Sequence, residues 1–135
     1  MISLVLARRL RDAGVRWDPR PGDRFTIPDR DLDDEVFVVS SMVIDVHDVP
    51  DGRIIRFNGT VEWALDTIAQ DAVVWLPDES QLRTLAGAAF VALEREPTGS
   101  DYRVVADVSG RRVERTAAEP ADAYALVLLH LATGD

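Results

Sequence analysis

Cysteine is missing from the 135-residue chain, so disulfides, thiol nucleophiles and cysteine-based metal sites are excluded, and a reducing compartment fits the composition. Lysine is missing too. All 15 basic residues are arginine, which removes a P-loop, a Schiff base and a lysine general base. With two histidines, His47 and His130, a three-histidine zinc site cannot be built. Long hydrophobic runs are scarce as well. The longest uncharged apolar stretches, Val36 to Ile44 and Ala123 to Gly134, fall short of the ~20 residues a spanning helix requires. The apolar run Ile2 to Ala7 is too brief for a signal-peptide core, and Arg8 and Arg9 follow it instead of preceding it. The expectation is a cytoplasmic protein with no membrane partner.

What is present describes one globular domain over residues 1–135: 47% hydrophobic and 29% charged, with a core that needs no metal or crosslink. The net charge of −9 opposes direct nucleic-acid binding, which needs a positive contact face. That charge is uneven. Residues 1–24 hold six arginines against three aspartates, +3, and the remaining residues hold 9 arginines against 21 acids, −12.

Ser3 is placed to cap a helix with Ile2, Leu6, Leu10 and Ala13 on one side and Gly14 as its stop. Pro19 and Pro21 then stiffen RWDPRPGDRF, Arg16 to Phe25, before Gly22 turns the chain and Phe25 and Ile27 begin a strand. Asp29 to Glu35 reads as an acidic loop, and Val36 to Val49 as a strand with one wet face. Pro50, Asp51 and Gly52 turn it into Arg53 to Asn58, an antiparallel hairpin. Thr60 caps a brief helix with Ala64, Leu65 and Ile68 around Trp63, and Val73 to Leu76 is a short extended run ended by Pro77.

Asp78 and Gln81 have capping-box spacing ahead of Leu82, Leu85, Ala86 and Ala89, a helix ending near Gly87. Phe90 to Glu96, Tyr102 to Val108 and Arg111 to Arg115 form a three-stranded meander. Thr116 and Glu119 repeat the capping-box spacing before an amphipathic closing helix carrying Tyr124, Ala125, Leu128 and Leu131. The predicted fold is α+β, mostly antiparallel, with an N-terminal hairpin and a C-terminal meander packed by three to four short helices.

Little catalytic chemistry is legible. Asp29, Asp31, Asp33, Asp34 and Glu35 begin like a calcium loop, but Asp34 stands at the turn-glycine position and Ser40 at the closing glutamate position. His47 lies between Asp45 and Asp48 on the outer strand face, and His130 beside the last helix's apolar stripe. No serine occupies a G-x-S-x-G elbow, no G-x-G-x-x-G follows a strand, and the 24 acids make paired carboxylates unreadable. No catalytic, cofactor-binding or metal residue is assigned, and no cofactor is expected.

What remains is arginine around tryptophan. Arg16, Trp17, Arg20 and Arg24 have the composition of an interface hot spot, although Trp17 also suits a seam between the first helix and the sheet. RWDPRPGDRF, FNGTVEWALD at Phe57 to Asp66 and VWLPDESQL at Val74 to Leu82 together resemble a family of small uncharacterised proteins of actinobacteria and of phages or prophages. Some members are labelled pilus assembly protein. Elsewhere that name denotes a P-loop ATPase, and without lysine or the glycine loop the resemblance implies a non-catalytic part in assembly.

Three functions are expected in order. The first is a non-enzymatic interaction or accessory protein, docking an unidentified protein through the hairpin edge or the Arg16 to Arg24 segment and compatible with a homo-oligomer. The second is a small metal-dependent hydrolase using the acidic loop and His47. The third is an acidic nucleic-acid mimic.

Overall fold

The structure is a computed structural model that describes residues 1–28, 32–39, 44–49, 52–57, 67–69 and 73–134, with side chains in 1–28, 35–39 and 73–134. In chain order, α1 (Leu4–Asp12) leads to strands β1 (Arg24–Ile27), β2 (Leu32–Val38), β3 (Ile44–Val49), β4 (Gly52–Phe57), β5 (Thr67–Ala69) and β6 (Val74–Trp75). Then follow α2 (Glu79–Ala86), β7 (Phe90–Arg95), β8 (Tyr102–Val108), β9 (Arg111–Ala117) and α3 (Pro120–Thr133). Each described sheet has three antiparallel strands, in orders β2-β1-β6, β3-β4-β5 and β7-β8-β9, so the fold is α+β with antiparallel pairing. Its contacts fall into two compact units, Trp17–Leu76 being inserted between Met1–Arg16 and Pro77–Asp135.

In the outer unit, the Ser3 hydroxyl accepts the Leu6 N–H at 3.3 Å and starts α1. The Ser3 N–H itself donates to Asp122 at 2.7 Å, tying α1 to the first turn of α3. Gly14, at φ 93°, closes the helix in a left-handed conformation that suits glycine. The buried stripe is Ile2, Ala7 and Leu10, while Leu6 and Ala13 are half-buried. Helix α2 begins with the expected capping box, Asp78 accepting from the Gln81 N–H at 2.8 Å and Gln81 accepting from the Asp78 N–H at 3.0 Å. It stops at Gly87. Leu82 and Ala86 are buried, and Leu85 faces out.

The meander follows the expected order, and its last hairpin turns on Ser109 and Gly110, both at positive φ, with Val108 paired to Arg111. Two expectations about α3 need correction. Thr116 is not a cap: it lies in β9 opposite Arg103, because ladder pairing continues to Ala117. Glu119 takes the N-cap position without a side-chain bond, and Pro120 fills the first turn, where a missing N–H costs least. The helix is also not amphipathic. It packs against α1, α2, β8 and β9 at once, so Ala121, Ala123, Tyr124, Ala125, Val127, Leu128 and Leu129 are all buried. Each large apolar side chain among them contributes ~1.5–3 kcal/mol through burial.

In the inserted unit, the expected hairpin is present, with β3 and β4 in register from Val49 opposite Gly52 to Ile44 opposite Phe57. Its Pro50–Asp51 turn lies outside the described residues. Asp45 is opposite Arg56 and Asp48 opposite Arg53, so each of these β3 acids stands across the ladder from a β4 base. The expected single strand from Val36 to Val49 is two, β2 and β3, in different sheets. Leu32 to Glu35, expected in an acidic loop, belongs to β2: a marginal strand pairs its backbone on one side and needs no core for its polar side chains. Ile68, expected on a helical face, is in β5 opposite Ile55, as β-branched Thr67 and Ile68 favour an extended chain. The remainder of that expected helix, Thr60 to Asp66 with Trp63, lies outside the described residues.

Candidate interaction surface

The Arg16 to Phe25 segment is built around one turn. Arg20, Pro21, Gly22 and Asp23 form a type II β-turn, with proline setting the first corner, Gly22 at φ 92° taking the second, and the Asp23 N–H donating to the Arg20 carbonyl at 3.0 Å. Two further bonds fasten it to the end of β2: the Gly22 N–H donates to the Val39 carbonyl, and the Val39 N–H to the Asp23 carbonyl, both at 2.8 Å.

Asp23 is 6% exposed, and its Oδ2 accepts the Trp17 indole N–H at 2.9 Å and the Arg20 backbone N–H at 3.0 Å. A carboxylate bonded by both a ring and a backbone donor fixes Trp17 relative to the turn. Trp17, 5% exposed, stacks on Trp75 with centroids 6.3 Å apart and lies 5.5 Å from Phe25, which in turn stacks on Phe37. Ile27, Val39 and Val73 complete the cluster. Trp17 opens the inserted unit and Trp75 is its penultimate residue, so their stack brings the two ends of the insertion together.

Of the four candidate surface residues, Trp17 is therefore inside, within the aromatic core and not on a partner face. Arg16, Arg20 and Arg24 are exposed, with Arg16 in the outer unit and the other two in the insertion. Arg24 stands opposite Val38 in the β1–β2 register, and Val38 is 59% exposed while alternate Phe37 turns to Phe25. Val36 repeats that outward position. Arg24, Val36 and Val38 thus give a cationic and apolar face on β1 and β2, beside a turn that carries exposed Arg20 and whose N–H groups at Arg20, Gly22 and Asp23 are all bonded. Sequence reasoning counted Asp23 only in the charge balance and placed Val36 and Val38 in a strand with one wet face without assigning them to that face. The signal for the valines was their alternation with Phe37; that for Asp23, six residues beyond a tryptophan, needs the folded turn.

The other candidates do not converge. His47 lies in β3 opposite Ile54, and its side chain is outside the described residues, as are Asp29, Asp31 and the side chains of Asp33 and Asp34. Among the described residues, no three His, Asp or Glu side chains are grouped to hold a metal ion. His130, half-buried, meets Arg115 at 3.3 Å; a guanidinium has no acceptor, so the histidine Nδ1 accepts. Glu114 is held below the usual carboxylate range by the hydrogen bond from Arg112 at 2.6 Å and by the charges of Arg112 and Arg103. Arg103 joins it to Glu94 and Glu96 across the meander. No described helix is long and apolar enough to cross a membrane. No family model, curated protein or solved structure matches this chain.

Proposed function

We propose that this chain is a non-enzymatic interaction protein that docks a protein partner on the surface formed by Arg20, Arg24, Val36 and Val38. One observation carries the reading: the turn that presents Arg20 and leads into Arg24 at the start of β1 is fixed by the buried Asp23 carboxylate, so its backbone is already ordered before a partner arrives. Pre-ordering lowers the entropy cost of association, and arginine beside apolar side chains gives large contacts. The partner surface is then acidic with apolar neighbours. The resemblance to the phage and actinobacterial family supports a non-catalytic place in an assembly process.

A displayed random-peptide library panned on the purified protein tests this. Acidic peptides with apolar neighbours should be enriched, and binding should weaken at least tenfold, ~1.4 kcal/mol, on an Arg20→Glu/Arg24→Glu double variant that keeps its circular dichroism. Absence of enrichment, or binding indifferent to the double reversal, contradicts the reading.

A further inference from the structure

The outer unit carries a second, separate feature at β7. Helix α3 lies chiefly over β8 and β9 and reaches β7 at Phe90, whose ring is 5.6 Å from that of Tyr124, so the rest of the strand is less covered. Alternate residues Val91, Leu93 and Arg95 are accordingly exposed, Val91 by 55% and Leu93 by 36%, within the uncharged run Leu85 to Leu93. Strand β7 is also marginal in its sheet, pairing with β8 alone among the described strands. Half of its peptide groups therefore point away from any ladder partner.

Charge on this strand is sorted by face. Glu94 and Glu96 meet the Arg103 guanidinium at 3.3 and 3.5 Å. Arg95, opposite Tyr102, makes no ion pair among the described residues. The margin thus offers Leu93 and then, two residues on, Arg95, a cation without an ion pair among the described residues, with exposed Val91 at the bulge before them. A bulge between Phe90 and Ala92 interrupts the regular ladder, so the pairing stretch is Ala92 to Arg95 and side chains must supply the selectivity.

We infer that β7 accepts an extended peptide as a fourth strand of the meander, one with apolar side chains and a carboxylate at alternate positions, the carboxylate meeting Arg95. Main-chain bonds give such a complex its general affinity, and the alternate contacts give it selectivity. This site shares no residue with the Arg20 and Arg24 surface, so either can fail without the other.

Fluorescein-labelled peptides carrying valine, valine and glutamate at alternate positions, with threonine between and in both sequence directions, test it by anisotropy. Saturable binding of one direction is expected. Arg95→Glu and Leu93→Glu should each weaken it at least tenfold, and Arg111→Glu should stay within twofold. Two further peptides, N-methylated at one or the other set of alternate amides, separate strand addition from side-chain contact: one should lose binding and the other keep it. Should Leu93→Glu unfold the protein, exposed Arg95→Glu still decides. Absence of saturable binding, equal binding by both methylated peptides, or self-association of the protein abolished by Arg95→Glu would overturn the inference.

Discussion

The two units of this chain are organised by opposite means. In the outer unit, α3 is wrapped by α1, α2, β8 and β9, and its order comes from apolar burial on nearly every side. In the insertion, an aromatic cluster is oriented by one buried carboxylate, Asp23, which bonds the ring of Trp17 and the turn beside it. Their charges differ as sharply: Trp17–Leu76 has five arginines against thirteen acids, −8, and the rest has ten against eleven, −1. The lesson is that an apolar centre tolerates loss of any one polar contact, whereas a core oriented through a buried charge depends on that charge.

Removing Asp23 should therefore have the largest effect. Asp23→Ala leaves the Trp17 N–H and the Arg20 N–H without their acceptor and should cost ~3 kcal/mol or more in urea unfolding, each bond to a charged group contributing ~1.5–3 kcal/mol. Asp23→Asn, which retains a carbonyl acceptor, should cost about half of that.

Such dependence on one acid explains what was legible in the residues and what was not. Asp78 with Gln81, Ser3 with Leu6 and Gly22 after Pro21 are local devices whose partners lie within four residues, and all three formed as the spacing implied. The β3–β4 hairpin and the meander are also local, joined by short turns. Leu32 to Glu35, Thr116 and Ile68 were misread because ladder pairing with the preceding strand overrode their polarity, capping chemistry or helical spacing. For the candidate surface, the arginines were legible as exposed charge. Burial of Trp17 was one of two readings, and its anchor could not be chosen among 24 acids without the turn.

A pair of tryptophan variants sharpens the contrast inside the aromatic cluster. Trp17→Phe loses a hydrogen bond to a buried carboxylate and should cost ~2–3 kcal/mol. Trp75→Phe removes a buried indole N–H that has no partner among the described residues, so the loss is mainly packing and should be ~1 kcal/mol. Equal costs in denaturant melts would mean that ring stacking, and not the carboxylate, orients the cluster.

The outer unit should respond more mildly to polar loss. Asp122→Ala frees the Ser3 N–H where α1 meets α3 and should lower stability by ~1 kcal/mol, with hydrogen exchange speeding in α1 before it does in α3.

Smallest of all is the effect of acid on the meander. The folded Glu114 carboxyl titrates below its unfolded range, so its contribution is present above the unfolded value and disappears as pH falls through the folded one. Glu114→Gln should flatten the acid limb of the melting-temperature profile slightly while leaving the neutral plateau nearly unchanged, as expected for an exposed pair.

The most direct test of the Asp23 lock is hydrogen exchange at the Trp17 indole, assigned in a proton–nitrogen spectrum by the peak that Trp17→Phe removes. Exchange slowed at least a hundredfold relative to a free indole, with protection lost in Asp23→Ala, is the predicted result. Exchange at the free-indole rate in the unaltered protein would contradict the account.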